Sequence, residues 1–137
     1  MKKTSVTKRF SFSASHRLYN PALSMEKNRE IFQKCSSDHG HNFVLDVTVT
    51  GPVNTDTGMI INFSELKAIV DKNIISLLDH SNFETDIADL RGKIHTAENM
   101  VGYIWEKIAA ELPDKIHLKK LKLTETEGSW VELEESN

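Results

Sequence analysis

The sequence predicts an α+β domain built from one four-stranded antiparallel sheet with two helices on one face. Three observations predict it. Alternating apolar and polar residues, the period of a strand with one buried face, occur near both ends of the chain. Between them lie two stretches whose apolar residues recur at helical spacing. Strands gathered at the ends with helices between them give the order strand, strand, helix, helix, strand, strand. The 137 residues suit a single domain spanning positions 1–137, and no repeat or linker interrupts them.

The first strand is expected over residues 6–16, where Phe10, Phe12, Ala14 and His16 alternate with Ser11, Ser13 and Ser15. The alternation stops at Arg17. A turn is expected at 19–24 and a short helical turn within 25–33. So long a connection between neighbouring strands is usually functional. Phe43, Leu45, Val47 and Val49 mark the second strand, and the same alternation counted backwards puts His39 and His41 on its apolar face. Turn residues fill 51–58, and 59–61 reads as a short strand or an extended entry to a helix. Asn62 or Ser64 caps that helix, whose stripe is Leu66, Ile69, Val70, Ile74, Leu77 and Leu78. Residues 81–93 read as irregular. Thr96 caps the second helix, with Val101, Ile104, Trp105, Ile108 and Leu112 as its stripe and Pro113 as its stop. Leu121 and Leu123 begin the last hairpin, Glu127-Gly128 turns it, and 130–133 returns.

Composition excludes several classes of function. Net charge is −3 and the positive charges are dispersed, which disfavours nucleic acid as a partner. No apolar stretch approaches the ~18 residues of a membrane span, so no membrane partner is expected. The first residues lead into no apolar run, so no signal peptide is expected. The single cysteine cannot form an internal disulfide. A cytoplasmic protein with a reduced thiol is the expectation.

The chemistry concentrates around residues 35–43. His39 and His41 are two apart on a strand, so they point the same way with Cβ atoms roughly 6–7 Å apart. The competing reading of that pair is chance. His16 changes the balance, because it ends the first strand on its apolar face. If the two strands pair antiparallel, the end of one meets the start of the other, and three imidazoles share one ion. Three neutral histidines with an open fourth position is the arrangement of a catalytic zinc site.

Cys35 follows Lys34 in a polar loop, where positive charge favours the reactive thiolate; its alternative is a small buried hydrophobe. Asp79-His80 stands at a helix end, and adjacent residues do not face each other there; a histidine favoured by the helix dipole is the competing reading. Glu125 falls on the Leu face of its strand. It either sits at the rim in water or is held to grip a ligand offering two N–H donors in a row, such as a 2-aminopyrimidinone ring.

Taken together, five segments resemble the 6-pyruvoyl-tetrahydropterin synthase and 6-carboxy-tetrahydropterin synthase family. They are Phe12-Ser13-Ala14-Ser15-His16-Arg17-Leu18, Cys35 with His39-Gly40-His41-Asn42, Asp79-His80, Thr96-Ala97-Glu98-Asn99 and Thr124-Glu125-Thr126, in that order over residues 6–133. The resemblance implies the tunnelling fold (ββααββ). It implies trimers that close their sheets into a barrel, two of them stacked as a homohexamer, with sites between subunits. Carried over, His16, His39 and His41 bind Zn²⁺, and Cys35 is the catalytic thiol. His80, supported by Asp79, is the proton-transfer partner from a neighbouring subunit. Glu125 anchors the pterin ring, with Thr96 and Glu98 as helpers. The implied substrate is 7,8-dihydroneopterin triphosphate.

Two reactions occur in that family. The three-residue spacer between Cys35 and His39 resembles the carboxy branch. The expected activity is therefore a zinc-dependent 6-carboxy-5,6,7,8-tetrahydropterin synthase that releases acetaldehyde and triphosphate and feeds 7-deazapurine (queuosine) synthesis. The alternative is the pyruvoyl synthase of tetrahydrobiopterin-type pathways. Glu30-Ile31-Phe32-Gln33-Lys34 resembles that branch, and Asn62 stands where many bacterial members have Asp. A third reading is a tunnelling-fold protein that holds a pterin or purine without turning it over. Cys35, His80 and the three histidines together argue against it.

Overall fold

The computed structural model describes residues 2–136. Two twelve-residue strands, β1 (Ser5–His16) and β2 (His39–Thr50), form the centre of the sheet. They pair antiparallel in a register running from Ser5 opposite Thr50 to His16 opposite His39. The period-2 pattern is obeyed throughout: Phe10, Phe12, Ala14 and His16 of β1 and Phe43, Leu45, Val47 and Val49 of β2 are buried on one face. β4 (His117–Thr126) pairs with β2, and β5 (Ser129–Glu134) pairs with β4, both antiparallel. Leu118, Leu121 and Leu123 of β4 continue the buried face across a register shift between Thr48 and Val49. Arg9 and Asp46 join on the opposite face through a two-pronged ion pair at 2.8 and 3.1 Å.

Helices cover the apolar face. α2 (Phe63–Val70) is capped by Asn62, whose side chain accepts from Ser64 N. It widens into a π turn over Asp71–Ile75 and ends in the short α3 (Ser76–Leu78). Leu66, Val70, Ile74 and Leu78 are all buried, at strict i, i+4 spacing. On an ideal α-helix such a stripe drifts by about 40° per step. A wider turn takes up that drift and keeps the stripe on the sheet. α4 (Ala97–Ala109) starts at the Thr96 cap and buries Met100, Val101, Ile104 and Ile108. No helix among the described residues is long and apolar enough to cross a membrane.

The α+β expectation holds, with two additions. The sheet has five strands rather than four, because β3 (Ser81–Asn82) adds a short parallel rung beside Ala14 and Ser15 of β1. The strand order is β3-β1-β2-β4-β5. Two residues are too few to show alternation, so this rung had no signature in the sequence. The long connection after β1 also contains a true helix, α1 (Met25–Phe32), capped by Ser24. Its buried anchor is Asn28, whose Oδ1 accepts from Asn20 N at 2.6 Å and whose Nδ2 donates to the Ser24 carbonyl at 2.9 Å. Residues 59–61, read as a strand or an extended entry, join no strand.

Candidate metal centre and proton-transfer groups

The register of β1 and β2 builds the site. It sets His16 opposite His39 and Ala14 opposite His41, so the three imidazoles meet at one end of the buried face. Their ring centroids are 4.6, 5.2 and 4.9 Å apart. Glu125 of β4 reaches the same point. One ligand atom from each of the four residues lies within 4.8 Å of all the others. The fourth side, expected open, therefore holds a carboxylate oxygen, 3.2 Å from His16 Nε2 and 2.9 Å from His41 Nε2.

Both Nε2 atoms are buried, and neither makes a well-directed hydrogen bond. An unsatisfied buried polar atom costs about 1–3 kcal/mol. Two of them beside one carboxylate are what a cation site leaves behind when only the protein is considered. The tautomers agree. His16 Nδ1 lies 2.9 Å from the His95 carbonyl oxygen, and His39 Nδ1 lies 2.8 Å from that of Ser37. A carbonyl only accepts, so each Nδ1 carries the proton and each Nε2 keeps a lone pair. Phe43 and Phe83 wall His16 at centroid distances of 5.8 and 5.6 Å. Burial pushes the imidazoles of His16 and His41 below the usual 6.5, against the pull of Glu125. Neutral imidazole is the ligating form. Three histidines and a carboxylate suit a divalent first-row cation.

Asp79 and His80 follow α3. The Asp79 carboxylate accepts from Ser13 N at 2.9 Å, and its other oxygen lies 3.0 Å from His80 Nδ1. Adjacent residues were not expected to face each other. His80 does so because its backbone is left-handed, with φ of 61°, while its N–H donates to the Ser13 carbonyl at 2.6 Å. The Ser13 N–H, helped by His80, holds the Asp79 carboxyl below its ordinary 3.8. The His80 side chain is 83% exposed and lines a cleft with Ser13, Ser15 and Asn42, which alternate with the buried face, and with His41.

A family model described as 6-pyruvoyl tetrahydropterin synthase matches residues 5–136. The chain belongs to that family. A 6-pyruvoyl tetrahydrobiopterin synthase of Dictyostelium discoideum is 42% identical over 92% of each chain. The Homo sapiens protein of the same name is 41% identical over 92% of this chain and 88% of its own. A dihydroneopterin monophosphate aldolase of Pyrococcus furiosus is 33% identical over 96% of this chain and 98% of its own. The solved structure of Caenorhabditis elegans 6-pyruvoyl tetrahydropterin synthase superposes with a TM-score of 0.90 at 31% identity, covering 99% of this chain and 98% of that one. Names from two reactions thus occur on the pterin synthase scaffold.

Of the residues singled out in the sequence, this synthase-family chain gathers His16, His39, His41 and Glu125 into one cluster and pairs Asp79 with His80. The other three stand outside the cluster. Cys35 is exposed in a 3₁₀ turn over Gln33–Ser36, with its carbonyl accepting from Leu18 N at 2.7 Å. Thr96 Oγ1 caps α4 by accepting from Asn99 N at 3.2 Å. Glu98 is exposed in the first turn of that helix. Two contributors escaped the sequence reading: the Ser37 and His95 carbonyls that orient the ligating rings. Every residue has a carbonyl, so no sequence signal could have marked these two.

Proposed function

We propose that this chain is a zinc-dependent 6-pyruvoyl-tetrahydropterin synthase acting on 7,8-dihydroneopterin triphosphate. The observation that carries a catalytic reading is the cluster of His16, His39, His41 and Glu125 with its two orphaned Nε2 atoms. The pyruvoyl branch is favoured because relatives at 42% and 41% identity bear that name over nearly their whole length. The carboxy synthase is the second reading, supported by the short spacer between Cys35 and His39.

His16, His39 and His41 hold Zn²⁺ in this reading. The bound cation supplies Lewis acidity to the adjacent hydroxyls of the dihydropterin side chain. In this reading the Glu125 carboxylate, whose Oε1 lies beside His16 and His41, is not a ligand of the cation but accepts the two neighbouring N–H groups of the pyrimidinone edge and orients the ring, with Thr96 and Glu98 as further contacts. Cys35 and His80 move protons on the two sides of the side chain, each worth about 10²–10⁴-fold. Asp79 holds His80 through Nδ1, which leaves Nε2 for the transfer. The reaction is internally redox-neutral: hydrogens leave the side chain for the ring, and triphosphate is eliminated.

His80 is not one of the four clustered residues; it lies on an exposed cleft lined mainly by the Ser13, Ser15 and Asn42 side of the sheet, with His41 also in its lining. That placement supports a site completed by a second copy of the chain, as in a homohexamer with sites between subunits. The test of the reaction is the product mixture from Zn²⁺-loaded protein and 7,8-dihydroneopterin triphosphate. A pyruvoyl tetrahydropterin without acetaldehyde is expected. Acetaldehyde with a carboxylated product would instead establish the carboxy synthase. Tight pterin binding without turnover would reduce the chain to a binding protein.

A further inference from the structure

His95 is buried, at 2% exposure, and its ring needs a partner inside the protein. Its Nε2 lies 2.6 Å from the Leu90 carbonyl oxygen. A carbonyl only accepts, so Nε2 carries the proton. The backbone carbonyl of the same residue accepts from His16 Nδ1 at 2.9 Å. Its neighbours are fastened separately. Asn99 Nδ2 donates to the Ile94 carbonyl at 2.8 Å, and Asn99 N donates to Thr96 Oγ1 at 3.2 Å. The far side of the segment is clamped as well. Both Glu84 carboxylate oxygens accept from Gly92 N, at 2.9 and 2.8 Å, and Arg91 Nη2 donates to the Thr85 carbonyl at 3.1 Å. Phe83 packs on both the His95 and His16 rings, at 6.0 and 5.6 Å. The carbonyl that meets His16 therefore belongs to a short segment held from several directions, and the His95 ring is its inner fastening.

We infer that His95 is a positioning residue of the metal centre: its ring anchors segment 90–95 so that its own carbonyl locks His16 in the Nδ1–H tautomer and turns the Nε2 lone pair to the cation. The inference rests on the proposed reading of His16, His39 and His41 as metal ligands. Without that lock the His16 ring can present a proton where the cation needs a lone pair. Affinity then falls although no ligand has changed.

Two substitutions and two readouts test it. His95→Phe removes the ring N–H and keeps the bulk; His95→Gln restores an amide N–H at similar reach. Zn²⁺ affinity is measured by chelator competition, and the His16 tautomer by ¹⁵N NMR of the ring nitrogens in the metal-free protein. The expected results are affinity about 10–100-fold weaker in His95→Phe, most of it regained in His95→Gln, and a wild-type proton on His16 Nδ1. A residue that only stabilised the fold would lower the melting temperature of the variants and leave Zn²⁺ affinity and tautomer as in the wild type. That outcome overturns the inference. Should His95→Phe fail to fold, the wild-type tautomer decides: a proton on His16 Nε2 overturns it. A wild-type protein that binds no Zn²⁺ sinks the metal reading itself, whereas equal binding by wild type and His95→Phe sinks only the role of His95.

Discussion

His16 is 1% exposed and still has a free nitrogen, so its environment has to favour the neutral ring. Burial lowers the imidazoles of both His16 and His41 from 6.5, and the sign of the consequence follows. Above that value both folded and unfolded chains are neutral there, and the stability is fully present. Below it the unfolded chain takes up protons that the folded chain refuses, so stability falls as the pH falls. The melting temperature of metal-free protein should therefore decline from near pH 6.5 towards acid, with a shallower slope in His41→Gln. An unchanged slope in that variant would place the acid sensitivity elsewhere. Cys35 belongs to the same scale. Cys35→Ala should abolish turnover and leave Zn²⁺ stoichiometry intact; full activity in that variant would remove the thiol from the mechanism.

At the scale of elements, α2 offers a clean measurement. Asn62 Oδ1 accepts from Ser64 N at 2.9 Å and caps the helix; it is not one of the clustered residues. Asn62→Ala should cost about 1 kcal/mol in chemical denaturation, with Zn²⁺ affinity unchanged. Elements with a strong period were legible in advance: β1, β2, α4 and the β4–β5 hairpin all show their apolar face in the letters. His39 and His41 could be counted onto the buried face for the same reason. What stayed hidden depends on contacts between distant residues. β3 exists because Ser81 and Asn82 meet Ala14 and Ser15. The Asp79–His80 pair exists because Ser13 accepts and donates at one point of β1. Glu125 was visible as a misplaced charge, but its company of three histidines needed the β2–β4 register.

For the whole molecule, the exposure of His80 on a cleft outside the four-residue cluster makes a prediction about assembly. Cys35→Ala and His80→Ala should each be inactive alone. Mixed under conditions that allow subunit exchange, they should regain part of the activity, because some sites would take an intact thiol from one chain and an intact imidazole from another. A mixture as inactive as its components would confine the site to one chain. Sedimentation of the wild type should show a hexamer, and a monomer at working concentration would overturn the shared site.

The pairing of β1 with β2 has a further consequence for how the chain reaches its native state. A slip of one residue would turn His39 and His41 away from His16 together with the whole apolar row of β2. A misaligned chain then has no chelating cluster, and only the correct alignment gains from the ion. At one hundred times its dissociation constant, that gain is about 2.7 kcal/mol. A bound cation would thereby act as a proofreader of folding, favouring one alignment of the two strands over its neighbours before any substrate is met.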